Sequence, residues 1–177
     1  MQAQAPEYAV FTELSPDTKP MKKVWNTRVF TDTDSQRGDS IRCDFGTGII
    51  TLAPGSYHLT GFSMVTYNSG GEPPETATIR APASAGYCRL RTHNAQTVVD
   101  QSSMRSLDNG NPSVICVGSG CTANMTPSLF EAYYTTEEEI QILLEHQSGS
   151  DPAGIYLRVE IENSKWHVLA RIGIRRI

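Results

Sequence analysis

The stretch from Gly46 to Tyr67 constrains the fold more than any other. A β-branched run, Ile49-Ile50-Thr51, leads to Leu52 and then to Pro54-Gly55, and an aromatic-rich alternating run follows from Tyr57. Such a pattern predicts two strands joined at Pro54-Gly55. Pro54 presets φ for the first central turn position, and Gly55 can take the positive φ of a tight reversal. A period of two then puts Tyr57, Leu59, Gly61, Ser63 and Val65 on one face, with His58, Thr60, Phe62, Met64 and Thr66 on the other. Neither face is cleanly polar. A strand of that kind is covered on both sides, so one face meets a sandwich interior and the other meets something else.

The flanking chain agrees with an all-β architecture. Further strands are predicted over Tyr8–Leu14, Val24–Thr31, Thr76–Arg80, Tyr87–His93, Gln96–Asp100, Ser113–Val117, Ser128–Tyr134, Ile155–Ile161 and Trp166–Ile174. Trp25 is the largest apolar anchor of the first half. Thr135 with the Glu137-Glu138-Glu139 run could cap a helix reaching His146. Against that, Ile140, Ile142 and Leu144 alternate with Gln141, Leu143 and Glu145, and the period favours a strand. About ten short strands with close-set turns make a sandwich or barrel. No internal repeat supports a propeller or solenoid. The 177 residues fit one domain, 8–177, behind an arm formed by residues 1–7.

Charge excludes one class of partner. A formal net charge of −4 and a pI near 5.5 leave no basic footprint for nucleic acid, and the ending with Arg171, Arg175 and Arg176 is too short to supply one. No apolar run approaches the roughly 20 residues of a membrane-spanning helix. The first six residues lack the charged and apolar regions of a signal peptide.

The segment Thr31–Ser40 is dense in turn formers and acids, and reads most simply as a solvated loop. Asp32, Asp34, Asp39 and Asp44 could ligate calcium, since hard cations take several oxygens. The EF-hand order fails, because Arg37 stands where the turn glycine belongs and no Glu closes the site. Arg37-Gly38-Asp39 also spells the tripeptide that integrins read in adhesive ligands. That match has meaning only on an exposed turn of an extracellular protein.

Of the four cysteines, Cys116 and Cys121 flank Val-Gly-Ser-Gly and are the candidate disulfide, with Cys43 and Cys88 read as buried thiols. Asn124-Met125-Thr126 satisfies the glycosylation sequon. The four histidines, His58, His93, His146 and His167, are scattered and read as surface or interface residues. No His-x-His pair suggests a cupin-like metal enzyme, and no Gly-x-Ser-x-Gly elbow suggests a hydrolase. The residues give no catalytic set and no cofactor beyond the calcium candidates.

Thr47-Gly48, Ile50, Leu52, Pro54-Gly55, Tyr57, Leu59 and Val65 form a pattern that resembles the middle of the C1q/TNF-like jelly roll. The last third is similar as well: Ser128–Tyr134, the Glu137–Glu139 turn, Ile140–Glu145, and Val168-Leu169-Ala170-Arg171-Ile172. Leu52 replaces a residue often Cys or small there, Leu59 the usual Phe, and Ala170 the usual Gly. The collagen-like tail of true C1q is absent from this segment. The resemblance implies a ten-strand jelly-roll β-sandwich that forms a homotrimer and acts in binding or display, outside the cell or on a surface. His58, Phe62, Met64, Phe130, Tyr134, Leu169 and Arg171 are the expected trimer-interface residues. Loops 31–44, 69–86 and 104–112 would meet a protein or glycan partner. The competing functions are a structural trimer, such as a phage fibre tip or capsid-like component, and a cupin-like metal enzyme.

Overall fold

Two antiparallel sheets packed face to face carry the alternating segments of the chain. The structure, a computed structural model, describes residues 6–14, 17–67, 85–93, 114–123, 125–148, 154–158 and 168–177. Among these, fourteen strands occur in the order β1 (Tyr8–Leu14), β2 (Lys19–Pro20), β3 (Trp25–Thr27), β4 (Asp32–Arg37), β5 (Ile41–Cys43), β6 (Ile50–Leu52) and β7 (Gly55–Ser63). The second half adds β8 (Thr66–Tyr67), β9 (Tyr87–Thr92), β10 (Val114–Gly120), β11 (Ser128–Thr136), β12 (Ile140–Gln147), β13 (Ile155–Arg158) and β14 (Val168–Arg176).

One sheet has the order β11-β7-β14-β1-β4, and the other β10-β9-β12-β6-β5 with β3 added on β12. Inward residues of both sheets meet in one core. Ala9 and Phe11 of β1, Leu59 of β7 and Ile172 of β14 face Leu52 of β6, Leu90 of β9 and Leu144 of β12. A small third sheet, β2-β13-β8, caps a satellite cluster with Met21, Val65, Ile155 and Leu157. The period-two reading holds here: Tyr57, Leu59 and Ser63 are buried, while His58 and Phe62 are half-exposed. Ile140–Gln147 is a strand, as its alternation predicts, and the Glu137–Glu139 segment is the turn before it.

Several expectations need correction. The Pro54-Gly55 reversal does not close a hairpin, because β6 lies in the six-stranded sheet and β7 in the five-stranded one. The chain instead crosses from one layer to the other there. Segment 31–44 is not a continuous loop: Asp32–Arg37 pairs with β1 as an edge strand, and Ile41–Cys43 pairs with β6. Polar composition suits an edge strand that faces water as well as it suits a loop. Trp25 lies half-exposed outside the core, and Phe30 fills the interior in its place.

The Cys116–Cys121 bridge is not formed, and all four cysteines are free thiols. Residues 114–120 are strand rather than a closing loop, with Cys116 opposite Leu90 and Gly120 opposite Tyr87. Five residues of strand span roughly 16 Å, whereas a disulfide needs Cα atoms about 4.4–6.8 Å apart. Cys88 is buried, as expected, and Cys43 is half-buried. The predicted strands at 76–80 and 96–100, the loop at 104–112, Asn124 of the sequon and His167 lie outside the described residues; of loop 69–86 only Ala85 and Gly86 are described.

Candidate interaction surfaces

The outer face of the five-stranded sheet is built by register. Leu129 of β11, Phe62 of β7, Arg171 of β14 and Thr12 of β1 stand side by side in one cross-strand row. Tyr133, His58, Arg175, Tyr8 and Arg37 form a second. Leu129 is 58% exposed and Tyr133 70%, which for side chains of this size leaves apolar surface in water on the β11 side of the sheet. The imidazole of His58 stacks on Tyr133 with ring centroids 4.6 Å apart and planes 17° from parallel. Its Nε2 lies 2.7 Å from Oε1 of Glu131. Toward the other end, Arg171 Nη2 pairs with Asp34 Oδ2 at 3.2 Å, and the Thr12 hydroxyl donates to Asp34 Oδ1 at 3.2 Å. The face therefore grades from aromatic and aliphatic at β11 to charged at β4.

The outer face of the six-stranded sheet is closed by its own charges. Glu145 of β12 is buried between two arginines, with Oε2 at 2.9 Å from Arg89 Nε and Oε1 at 2.9 Å from Arg91 Nε. The Arg89 guanidinium also covers the ring of Trp25, 3.9 Å from its centroid, and Tyr87 meets the same indole edge-on. Val117 stands exposed at the β10 edge.

Among the expected interface residues, His58, Phe62, Met64 and Arg171 do lie on or beside the outer face of the five-stranded sheet. Phe130, Tyr134 and Leu169 do not serve it. Phe130 is a core residue, Tyr134 packs against the core, and Leu169 is 1% exposed. Along β11 the outward side chains are Leu129, Glu131, Tyr133 and Thr135, one residue out of phase with the expected pair.

The acidic residues proposed for calcium are not brought together. Asp32 Oδ1 accepts from the Thr33 amide at 2.8 Å, and Asp34 is held by Thr12 and Arg171. Asp44 caps the next turn, accepting from the Gly46 amide and the Thr47 hydroxyl, each at 2.8 Å. These bonds hold its carboxyl below the usual range. Asp39 lies on the turn between β4 and β5. Among the described residues, no three His, Cys, Asp or Glu side chains converge on a metal position.

Arg37 ends β4 and Gly38 and Asp39 follow it on that turn, and all three are exposed. Gly38 has φ of 85°, and a Cβ there would stand 2.5 Å from the Glu7 carboxylate. The positive φ favours glycine, while the Glu7 side chain could shift to admit a Cβ. Glu7 in turn accepts from the Ser40 amide at 3.0 Å, and Arg176 Nη1 donates to the Ser40 hydroxyl at 2.8 Å.

One polar cluster escaped the sequence reading. Arg28 is fully buried, its Nε donating to Ser63 Oγ at 2.9 Å and its Nη1 to the Leu157 carbonyl at 2.9 Å. Nη1 also pairs with Glu13 at 3.4 Å, and Nη2 donates to the Met64 carbonyl. Ser63 Oγ lies 2.7 Å from Nδ1 of His146, whose Nε2 is 2.7 Å from the Ala85 carbonyl and 3.6 Å from Cys121 Sγ. With Nε2 donating to Ala85, Nδ1 accepts from Ser63, which fixes a neutral tautomer. Burial first, and then the Arg28 charge, lowers the His146 pKa to about 3. Burial likewise pushes the Cys121 thiol up to about 11. A buried imidazole that resists protonation beside an un-ionised thiol is poorly suited to general-base or nucleophilic work at neutral pH. The cluster ties β1, β7, β12 and β13 together. His146 is thus a core residue and not a surface one; its parity with Ile142 and Leu144 on β12 was the available signal.

No protein-family model matches the chain, and no curated protein sequence does. Solved structures do. Murine APRIL, a TNF-family jelly roll, matches at pH 8.0 with a TM-score of 0.50 and 7% identity, over 96% of this chain and 99% of that one. The pH 8.5 structure of the same protein matches with equal TM-score, identity and coverage. At that identity the likeness concerns the fold alone, and it extends over nearly the whole of both chains. The protein has the all-β, TNF-like jelly-roll fold.

Proposed function

We propose that this protein is a non-enzymatic, homotrimeric binding module that works outside the cell or on a surface and presents loops to a protein or glycan partner. The observation that carries the reading is the uncovered β11 side of the five-stranded sheet, where Leu129 and Tyr133 flank Phe62 and His58. The opposite face has its Glu145 cluster to cover it, whereas this one gains by burial against another copy of the chain. His58, Phe62, Met64 and Arg171 join Leu129 and Tyr133 as the subunit interface. The TNF-like fold supports the assembly and is compatible with a binding role.

Size-exclusion chromatography with light scattering tests this. A mass three times the 19.4 kDa of one chain is expected, and a folded species of lower mass for the double variant Leu129→Glu with Tyr133→Glu. A monomeric wild-type protein overturns the assembly.

A further inference from the structure

The turn between β4 and β5 carries two charges that the fold does not use. Arg42 pairs with Glu139, Arg171 with Asp34, Arg158 with Asp17 and Arg176 with Glu7. Among the described residues, neither the Arg37 nor the Asp39 side chain has a hydrogen bond or an ion pair, and both stand exposed on either side of Gly38. The glycine is explained by its φ. Its two charged neighbours are explained by nothing in the packing.

The turn is nonetheless held firmly at its base. Glu7 receives the Ser40 amide, Arg176 bridges Glu7 Oε1 at 3.5 Å and the Ser40 hydroxyl, and Arg176 Nη2 donates to the Pro54 carbonyl at 2.8 Å. From the other side, Gln36 Nε2 donates to the carbonyls of Gly38 at 3.3 Å and Ile41 at 3.0 Å. A guanidinium and a carboxylate on a turn already fixed in shape lose little freedom when a partner engages them. In the sheet order, β4 also lies at the end opposite β11, so the turn is far from the Leu129 and Tyr133 patch.

We infer that Arg37-Gly38-Asp39 is a receptor-recognition turn for an integrin-type partner. Such a partner ligates the Asp39 carboxylate through a bound divalent cation and takes the Arg37 guanidinium against an acidic pocket. The inference rests on the binding-module reading for its setting, since the turn must be displayed outside the cell. Trimerisation would present three such turns and raise avidity without being required for the contact itself.

The test is biolayer interferometry of the 177-residue chain against a purified integrin that reads Arg-Gly-Asp, in manganese buffer. Binding is expected, with loss in EDTA and displacement by the synthetic peptide Arg-Gly-Asp-Ser. Asp39→Glu and Arg37→Ala should each weaken it about tenfold or more, as when a charge-assisted contact is lost. Glu137→Gln, on another exposed turn, should leave it unchanged, and thermal melts should show all three variants folded. No binding at micromolar receptor, or binding indifferent to Asp39→Glu, overturns the inference. The two readings fail separately: a monomer that binds through Asp39 overturns only the trimer, and a trimer that does not bind overturns only the turn.

Discussion

Ser63 Oγ stands 2.7 Å from Nδ1 of His146, a contact between residues 83 apart in the chain that joins the two sheets through their buried polar centre. The same hydroxyl accepts from Arg28 Nε. Ser63→Ala therefore leaves a buried donor and a buried acceptor unmatched, each worth about 1–3 kcal/mol. Urea denaturation should show a lower midpoint at unchanged slope. A midpoint equal to wild type would mean that a water replaces the hydroxyl.

His146 also predicts a pH dependence. Its folded pKa of about 3 lies below that of a free imidazole, so between about pH 6.5 and pH 3 the unfolded chain binds a proton that the folded one refuses. The stability from this group is present above about pH 6.5 and lost as pH falls, by up to about 1.4 kcal/mol per pH unit. Denaturation series at pH 7, 6 and 5 should show the slope, and His146→Gln should flatten it even though that variant is weaker throughout.

On the six-stranded face, Glu145 is the carboxylate shared by Arg89 and Arg91. Glu145→Ala strands two largely buried guanidinium groups, and removal of one partner from such a set costs about 3–5 kcal/mol. Thermal unfolding should register a drop of several degrees, whereas the exposed Arg42–Glu139 pair should lose almost nothing on Glu139→Ala.

Gly61 of β7 lies where the strand passes close to its neighbours. A Cβ there would run into the Arg171 carbonyl and stand 2.8 Å from the Phe130 ring. Because a backbone group cannot yield as a side-chain tip can, Gly61→Ala should destabilise the protein by at least about 2 kcal/mol. Amide exchange should report the damage first at the pairing of β7 with β14.

Period two made the interior and exterior of β7 legible, since Tyr57 and Leu59 share a parity that His58 and Phe62 do not. It could not do the same for β11. Leu129, Phe130, Tyr133 and Tyr134 put large apolar groups at both parities, and only long-range pairing with β7 decides which pair faces water. The Pro54-Gly55 turn has the same local chemistry whether the next strand stays in the layer or leaves it, so its crossover was invisible. Asp32–Arg37 has a loop's composition and becomes a strand because β1 offers a ladder, a tertiary effect that outweighs propensity. The Arg28 cluster was hidden for a related reason. Its members come from distant segments, and no local spacing announces that a Ser, a His and an Arg will meet.

The outermost position of β4 has a consequence for what this protein avoids. Among the described residues no strand pairs with its other side, which could template another chain, and sheets left open in that way lengthen into fibres. Asp34 is already paired with Arg171, but Asp32 sets an exposed carboxylate on that strand, so a second β4 arriving there would meet like charge. Like charge on the strand thus weighs against end-to-end pairing of copies through β4.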